Sequence, residues 1–211
     1  MMIQSKKLLA ISVLATSMAF FTAAANVAQA GLIGFTLVIS GDTNVPTMSW
    51  TNNSTTAKIT SIDITIGDTG YNYDFAQNII DPSGGSSTLI TPDTVNGGGV
   101  RSDHANFTYT GFDPGETASF DLDIDIDSAD SVEDYRTVLF NNGGAANAVA
   151  TVAFMDGSSM GSLMLTLPDG ADDLSSYTFR AEANDIPEPG TLALFGLGLA
   201  GLGFARRSKA V

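Results

Sequence analysis

Cysteine is absent from the 211-residue chain. Its absence excludes disulfides, thiolate nucleophiles, iron–sulfur clusters and cysteine-type zinc sites. Histidine occurs once, as His104, so a multi-histidine metal centre is excluded as well. Bases are scarce: Lys and Arg number 9 against 23 Asp and Glu, for a net charge of −14. The scarcity is greatest in the middle of the chain. Residues 1–30 hold Lys6 and Lys7 and no acid, and residues 187–211 hold Arg206, Arg207 and Lys209 against Glu188 alone. Removing the +2 at each end leaves −18 for residues 31–186. A surface this acidic repels nucleic-acid phosphates and anionic membranes, so no nucleic-acid partner is expected. It keeps the chain soluble and attracts cations; simple solvation is its plainest use.

Long apolar runs occur only at the two ends. Lys6 and Lys7 precede an apolar stretch from Leu8 to Phe21, and Ala28-Gln29-Ala30 follows as a small-x-small site. This pattern predicts a signal-peptide helix over 1–30, with cleavage between Ala30 and Gly31 directed by Ala28 and Ala30. At the other end Pro187-Glu188-Pro189 precedes an uninterrupted apolar run, Gly190 to Ala205, and then Arg206-Arg207-Ser208-Lys209. The prolines stop the preceding structure. A helix of this length reaches roughly 24 Å, slightly less than a bilayer core of about 30 Å, so a single C-terminal transmembrane helix is expected. The terminal bases favour the cytoplasmic side and leave residues 31–186 outside, in agreement with the N-terminal signal.

The order Pro-Glu-Pro, Gly- and Leu-rich helix, Arg-Arg cluster closely resembles the PEP-CTERM sorting domain of Gram-negative bacteria. The resemblance covers about 25 residues and says nothing of residues 31–186. It implies recognition by an exosortase, a multi-pass membrane enzyme acting near the Pro-Glu-Pro motif. It further implies transient anchoring in the inner membrane, then delivery to the cell surface or matrix, in bacteria that make extracellular polysaccharide and biofilm.

Two other motifs fail for want of context. Gly196-Leu197-Gly198-Leu199-Ala200-Gly201 spells a dinucleotide fingerprint but lies inside the apolar tail, with no strand before it and no acid about 20 residues later. Gly198, Gly201 and Ala205 instead suit close helix–helix approach. Gly157-Ser158-Ser159-Met160-Gly161 spells a nucleophile elbow, yet the only histidine precedes Ser159 and residues 162–167 read as a strand. Asp156-Gly157 reads instead as a hairpin turn. No catalytic residue is assigned, and the chain is expected not to be an enzyme; a secreted hydrolase using Ser159 is the remote alternative.

Residues 31–186 alternate with a period of two. The pattern is clear at Phe35, Leu37 and Ile39; at Ile62, Ile64 and Ile66; at Tyr71, Tyr73 and Phe75; and at Phe120, Leu122, Ile124 and Ile126. Further candidate strands are Arg136–Phe140, Val149–Met155, Ser162–Leu167 and Tyr177–Ala183, separated by turns such as Asp81-Pro82-Ser83-Gly84-Gly85 and Asp113-Pro114-Gly115. The expected fold is all-β: an antiparallel β-sandwich, Ig-like or jelly-roll, with a closed barrel as the alternative. Trp50 is expected in the core. Sequons begin at Asn52, Asn53 and Asn106.

Asp121, Asp123, Asp125 and Asp127 alternate with Leu122, Ile124 and Ile126, which places all four carboxylates on one strand face. The favoured reading is a solvated face whose charges discourage edge pairing. The alternative is an irregular calcium site from Asp125, Asp127, Asp130 and Asp134, since carboxylates suit that ion outside the cell. An EF-hand is not expected, with Ser128 at the position of its glycine, Asp134 at that of its glutamate and a segment that reads as strand. The resulting expectation is a non-catalytic surface or matrix protein in contact with exopolysaccharide, or else a calcium-dependent adhesion or carbohydrate-binding module.

Overall fold

The structure is a computed structural model that describes residues 31–97, 99–140, 144–169 and 174–184. The expected signal-peptide helix and the expected transmembrane helix lie outside the described residues. Among the described residues no helix is long and apolar enough to cross a membrane.

The described residues form ten strands and one short helix: β1 (Leu32–Gly41), β2 (Pro46–Asn52), β3 (Lys58–Thr65), β4 (Tyr71–Ile80), β5 (Ser86–Thr91), β6 (His104–Phe112), β7 (Thr117–Ile126), α1 (Tyr135–Phe140), β8 (Val149–Asp156), β9 (Ser159–Thr166) and β10 (Ser176–Asn184). They build two five-stranded antiparallel sheets, ordered β10-β1-β2-β7-β4 and β5-β6-β3-β8-β9. Each sheet keeps its own edge strands, so the fold is sandwich-like and not a closed barrel.

The alternation in the sequence decides which side chains meet. Leu37 and Ile39 of β1 pair across to Trp50 and Met48 of β2, Phe35 lies beside them opposite Asn52, and all five apolar side chains are fully buried. Phe120, Leu122 and Ile124 extend that apolar face across β7. The second sheet contributes Ile62 and Ile64, Phe107, Val152 and Phe154. A register shift between Ile59 and Ser61 changes the phase of β3, so Ile59 and Ile62, three apart, both point inward. Phe107 and Phe120 stack across the two sheets with ring centroids 4.0 Å apart. Each large side chain so buried contributes about 1.5–3 kcal/mol.

The expected hairpin is present: Asp156 pairs with Ser159 across a two-residue loop in which Gly157 has φ 58°. One strand expectation is corrected, because residues 135–140 are helical. Asp134 caps the helix, its Oδ1 accepting from the Arg136 N–H at 3.0 Å and its carbonyl from the Val138 N–H at 3.2 Å. Tyr135, Val138 and Leu139, at helical spacing, are buried. The sequon at Asn52 is also internal, since its amide donates to the carbonyls of Ala57 and Phe112 in the interior.

Candidate functional site

The aspartate row of β7 occupies the outer face of its sheet, as alternation requires, but that face is covered. Asp123 and Asp125 are buried. This corrects the expectation of a solvated row at its centre, while Asp121 is half-buried and Asp127 exposed; the cause is three segments that fold over it. Residues 127–134 turn back after β7: Ser131 donates its N–H to Asp125 Oδ1 at 2.7 Å, and its Oγ accepts from the Ile126 N–H at 2.9 Å. The β1–β2 loop brings Asn44, whose Nδ2 donates to Asp123 Oδ1 at 2.9 Å while its Oδ1 accepts from the Glu133 N–H. Residues 92–97 and 99–103 run along β4, joined to it by Tyr73–Ser102 and Phe75–Asp93 bridges. Asp93 shapes that loop by accepting from the Val95 and Val100 N–H groups.

The neighbouring strands β2 and β4 supply donors to the two ends of the row. Asp121 accepts from Thr47 Oγ1 and Asn78 Nδ2, each at 2.6 Å, and Asp127 Oδ1 accepts from Asn72 Nδ2 at 3.0 Å. Desolvation still opposes the charges that are left. Burial pushes the Asp123 carboxyl up to about 6, reinforced by Asp125 and Asp74. Burial also raises Asp125, against the opposing pull of its Ser131 hydrogen bond.

The covering loop delivers Arg101 to the centre of the site. Its Nε lies 2.9 Å from Asp74 Oδ1, its Nη1 donates to the Ile126 carbonyl at 3.2 Å, and its Nη2 is paired with Asp130 and stands 3.6 Å from Asp125 Oδ2. The Nε–Asp74 contact is ionic only, because the N–H is not aligned on Oδ1, which has no hydrogen-bond partner. Asp74 Oδ2 is held from behind by the Gly97 N–H at 2.8 Å. One carboxylate oxygen from each of Asp74, Asp125 and Asp130 lies within 4.8 Å of the other two.

The four aspartates proposed from sequence therefore separate. Asp125 and Asp130 come together, Asp127 is engaged by Asn72, and Asp134 caps α1 and holds Arg136. The Arg136 hydrogen bonds hold the Asp134 carboxyl below the usual carboxylate range. Asp74, the third member of the cluster, is missed by sequence reading because it arrives from β4, across the sheet. The one available signal is that Asn72 and Asp74 share the outer face of a strand otherwise rich in aromatics. Ser159 begins β9 directly after the hairpin turn, and His104, at the start of β6, pairs its Nδ1 with Asp63 of β3 at 3.1 Å.

Gly31 is the first described residue; Ala28, Ala30, Pro187, Glu188, Pro189, Arg206, Arg207 and Lys209 lie outside the described residues. Fold and site together define an acidic two-sheet β domain with a carboxylate cluster on its outer face, buried at Asp74 and Asp125 and exposed at Asp130. Residues 185–207 match the family model of the PEP-CTERM protein-sorting motif, which takes in Pro187-Glu188-Pro189 and Arg206-Arg207. The chain thus carries a sorting signal for export and exosortase processing in transit through the membrane. No curated protein and no solved structure matches the chain.

Proposed function

We propose that the protein is a non-catalytic cell-surface or extracellular-matrix component, a β-sandwich exported with a signal peptide, processed by an exosortase at its tail and associated with exopolysaccharide. The observation that carries this reading is the sorting motif at residues 185–207. Two further features support it. The acidic charge of residues 31–186 suits a domain that stays soluble outside the cell, and most described aromatic residues pack in one apolar core, which lets the domain hold together there without disulfides.

Intact-mass analysis of protein recovered from a host with an exosortase tests the processing. The expected species begins at Gly31 and has lost the apolar tail, whereas a mature species retaining Gly190 to Val211 removes exosortase cleavage from the proposal. Co-sedimentation with the host's purified polysaccharide tests the association: retention is expected, and free protein in the supernatant would reduce the domain to sorted cargo. Hydrolysis of a glycan or ester panel that disappears in Ser159→Ala would overturn the non-catalytic reading.

A further inference from the structure

We propose that Asp74, Asp125 and Asp130 form a divalent-cation site of calcium type, in which Arg101 is the built-in competitor for the ion. The site lies on the covered outer face of β4 and β7, and it is independent of the export reading. Three carboxylates converge there on one guanidinium, leaving a local excess of negative charge. The Asp74 and Asp125 side chains are only 1% and 2% exposed, so water cannot offset that excess.

The hydrogen bonding shows that the guanidinium serves these oxygens poorly. Asp125 Oδ2 and Asp74 Oδ1 are both buried and have no hydrogen-bond partner, although each faces a nitrogen of Arg101. Asn72 Oδ1, on the residue in register with Asp125, is likewise buried without a partner. A planar fork needs its N–H groups aligned on each acceptor. A spherical cation has no such requirement and takes any lone pair turned toward it.

The second oxygen of each buried carboxylate is already tied down, Asp74 by the Gly97 N–H and Asp125 by the Ser131 N–H. The inward oxygens are therefore preorganised. The Ile126 carbonyl, a neutral oxygen now bound by Arg101 Nη1 at 3.2 Å, loses that donor when the guanidinium leaves.

The donors decide the class of ion. All are oxygens, which selects calcium or magnesium over zinc and the softer metals. Carboxylate oxygens within 4.8 Å of one another fit a shared ion at calcium's Ca–O distances of about 2.3–2.6 Å. Magnesium contracts its ligands to about 2.0–2.1 Å and keeps its waters, which a covered site accommodates badly. Binding requires the Arg101 head group to leave the centre; its side chain is 24% exposed, which gives it a path outward.

The test uses the full chain, purified in detergent and stripped with EDTA, titrated with calcium chloride or magnesium chloride alone. Binding is followed by calorimetry and by the melting temperature. One saturable calcium site is expected, with a rise in melting temperature of about 5 °C or more at a hundredfold excess over Kd, and a smaller rise with magnesium. Arg101→Gln removes the competitor and should tighten calcium binding by about tenfold. Asp125→Asn should abolish it. Asp130→Asn, at an exposed position that the fold tolerates, should weaken it even if Asp125→Asn proves unstable. Absence of a calcium response in both the wild type and Arg101→Gln overturns the proposal. So does a wild-type response in Asp130→Asn together with Asp125→Asn, which would place the ion elsewhere on the acidic surface.

Discussion

Asp123 illustrates how a single carboxylate on β7 couples the covered face to pH. Its folded pKa, pushed to about 6 by burial and then by Asp125 and Asp74, lies above the ordinary value of 3.8. A raised acid binds its proton more tightly in the folded state, so its contribution is fully present below the unfolded pKa and is lost as pH rises through the folded one. Between about pH 4 and 6.5 the molecule should therefore lose roughly 2–3 kcal/mol from this group. Asp123→Asn keeps an oxygen to accept from Asn44 Nδ2 and removes the charge. Thermal unfolding in EDTA should show a higher melting temperature than wild type at pH 7.5 and a flatter profile from pH 4 to 7. An unchanged profile would mean that the carboxylate is solvated. Trp50 behaves in the opposite way, since its environment follows directly from alternation. It is fully buried between Phe35 and Phe120, at centroid distances of 5.7 and 6.4 Å, and its Nε1 has no hydrogen-bond partner. Trp50→Ala should cost about 3–5 kcal/mol in denaturant unfolding. Trp50→Phe should cost markedly less, because no hydrogen bond is lost with the indole N–H.

At the scale of elements, strands with one apolar face were legible and the segments lying over their polar face were not. Period two at Phe35–Ile39 or Phe120–Ile124 needs only the local chain, because every second side chain enters the same core. The covering of β7 depends on contacts from Asn44, Arg101 and Ser131, which are 79, 24 and 6 residues away from Asp123 or Asp125. No local period encodes such contacts. Helix α1 was partly legible, since Asp134 followed by Tyr135, Val138 and Leu139 is a cap and an i, i+3, i+4 stripe. Only its short length let it pass for a strand. The covering loop also has a backbone requirement at Gly97, with φ 69°, whose N–H holds Asp74. Gly97→Ala should destabilise by about 1 kcal/mol through the left-handed conformation alone. A Cβ there would lie 3.0 Å from Asp130 Oδ2, the end of a movable side chain, so contact adds little. Hydrogen exchange should then quicken at Ser102 and Tyr73, whose amides join the loop to β4.

For the whole molecule, charge unites the readings made at smaller scales. The sequence separates cationic ends from a middle segment of −18, and this division was visible without any coordinates because it is a matter of counting. What counting cannot reveal is that part of the charge is internal. Asp74, Asp123 and Asp125 are buried together with a single guanidinium, while most other acids remain where salt reaches them. Monovalent salt should act differently on these two populations. The Debye length falls from about 30 Å at 0.01 M to about 3 Å at 1 M, and the stronger screening relieves repulsion among exposed carboxylates but barely reaches buried ones. Raising sodium chloride from 0.01 to 0.5 M in EDTA should therefore raise the melting temperature, because self-repulsion destabilises a strongly charged compact state. The same rise should appear in Asp125→Asn, whose charge is hidden from the ions, whereas reversing several exposed acids to lysine should diminish it. If sodium chloride instead lowered the melting temperature, attractive pairs such as Lys58–Asp113 and Arg180–Glu182 would outweigh the repulsion, and net charge would not govern this molecule's stability.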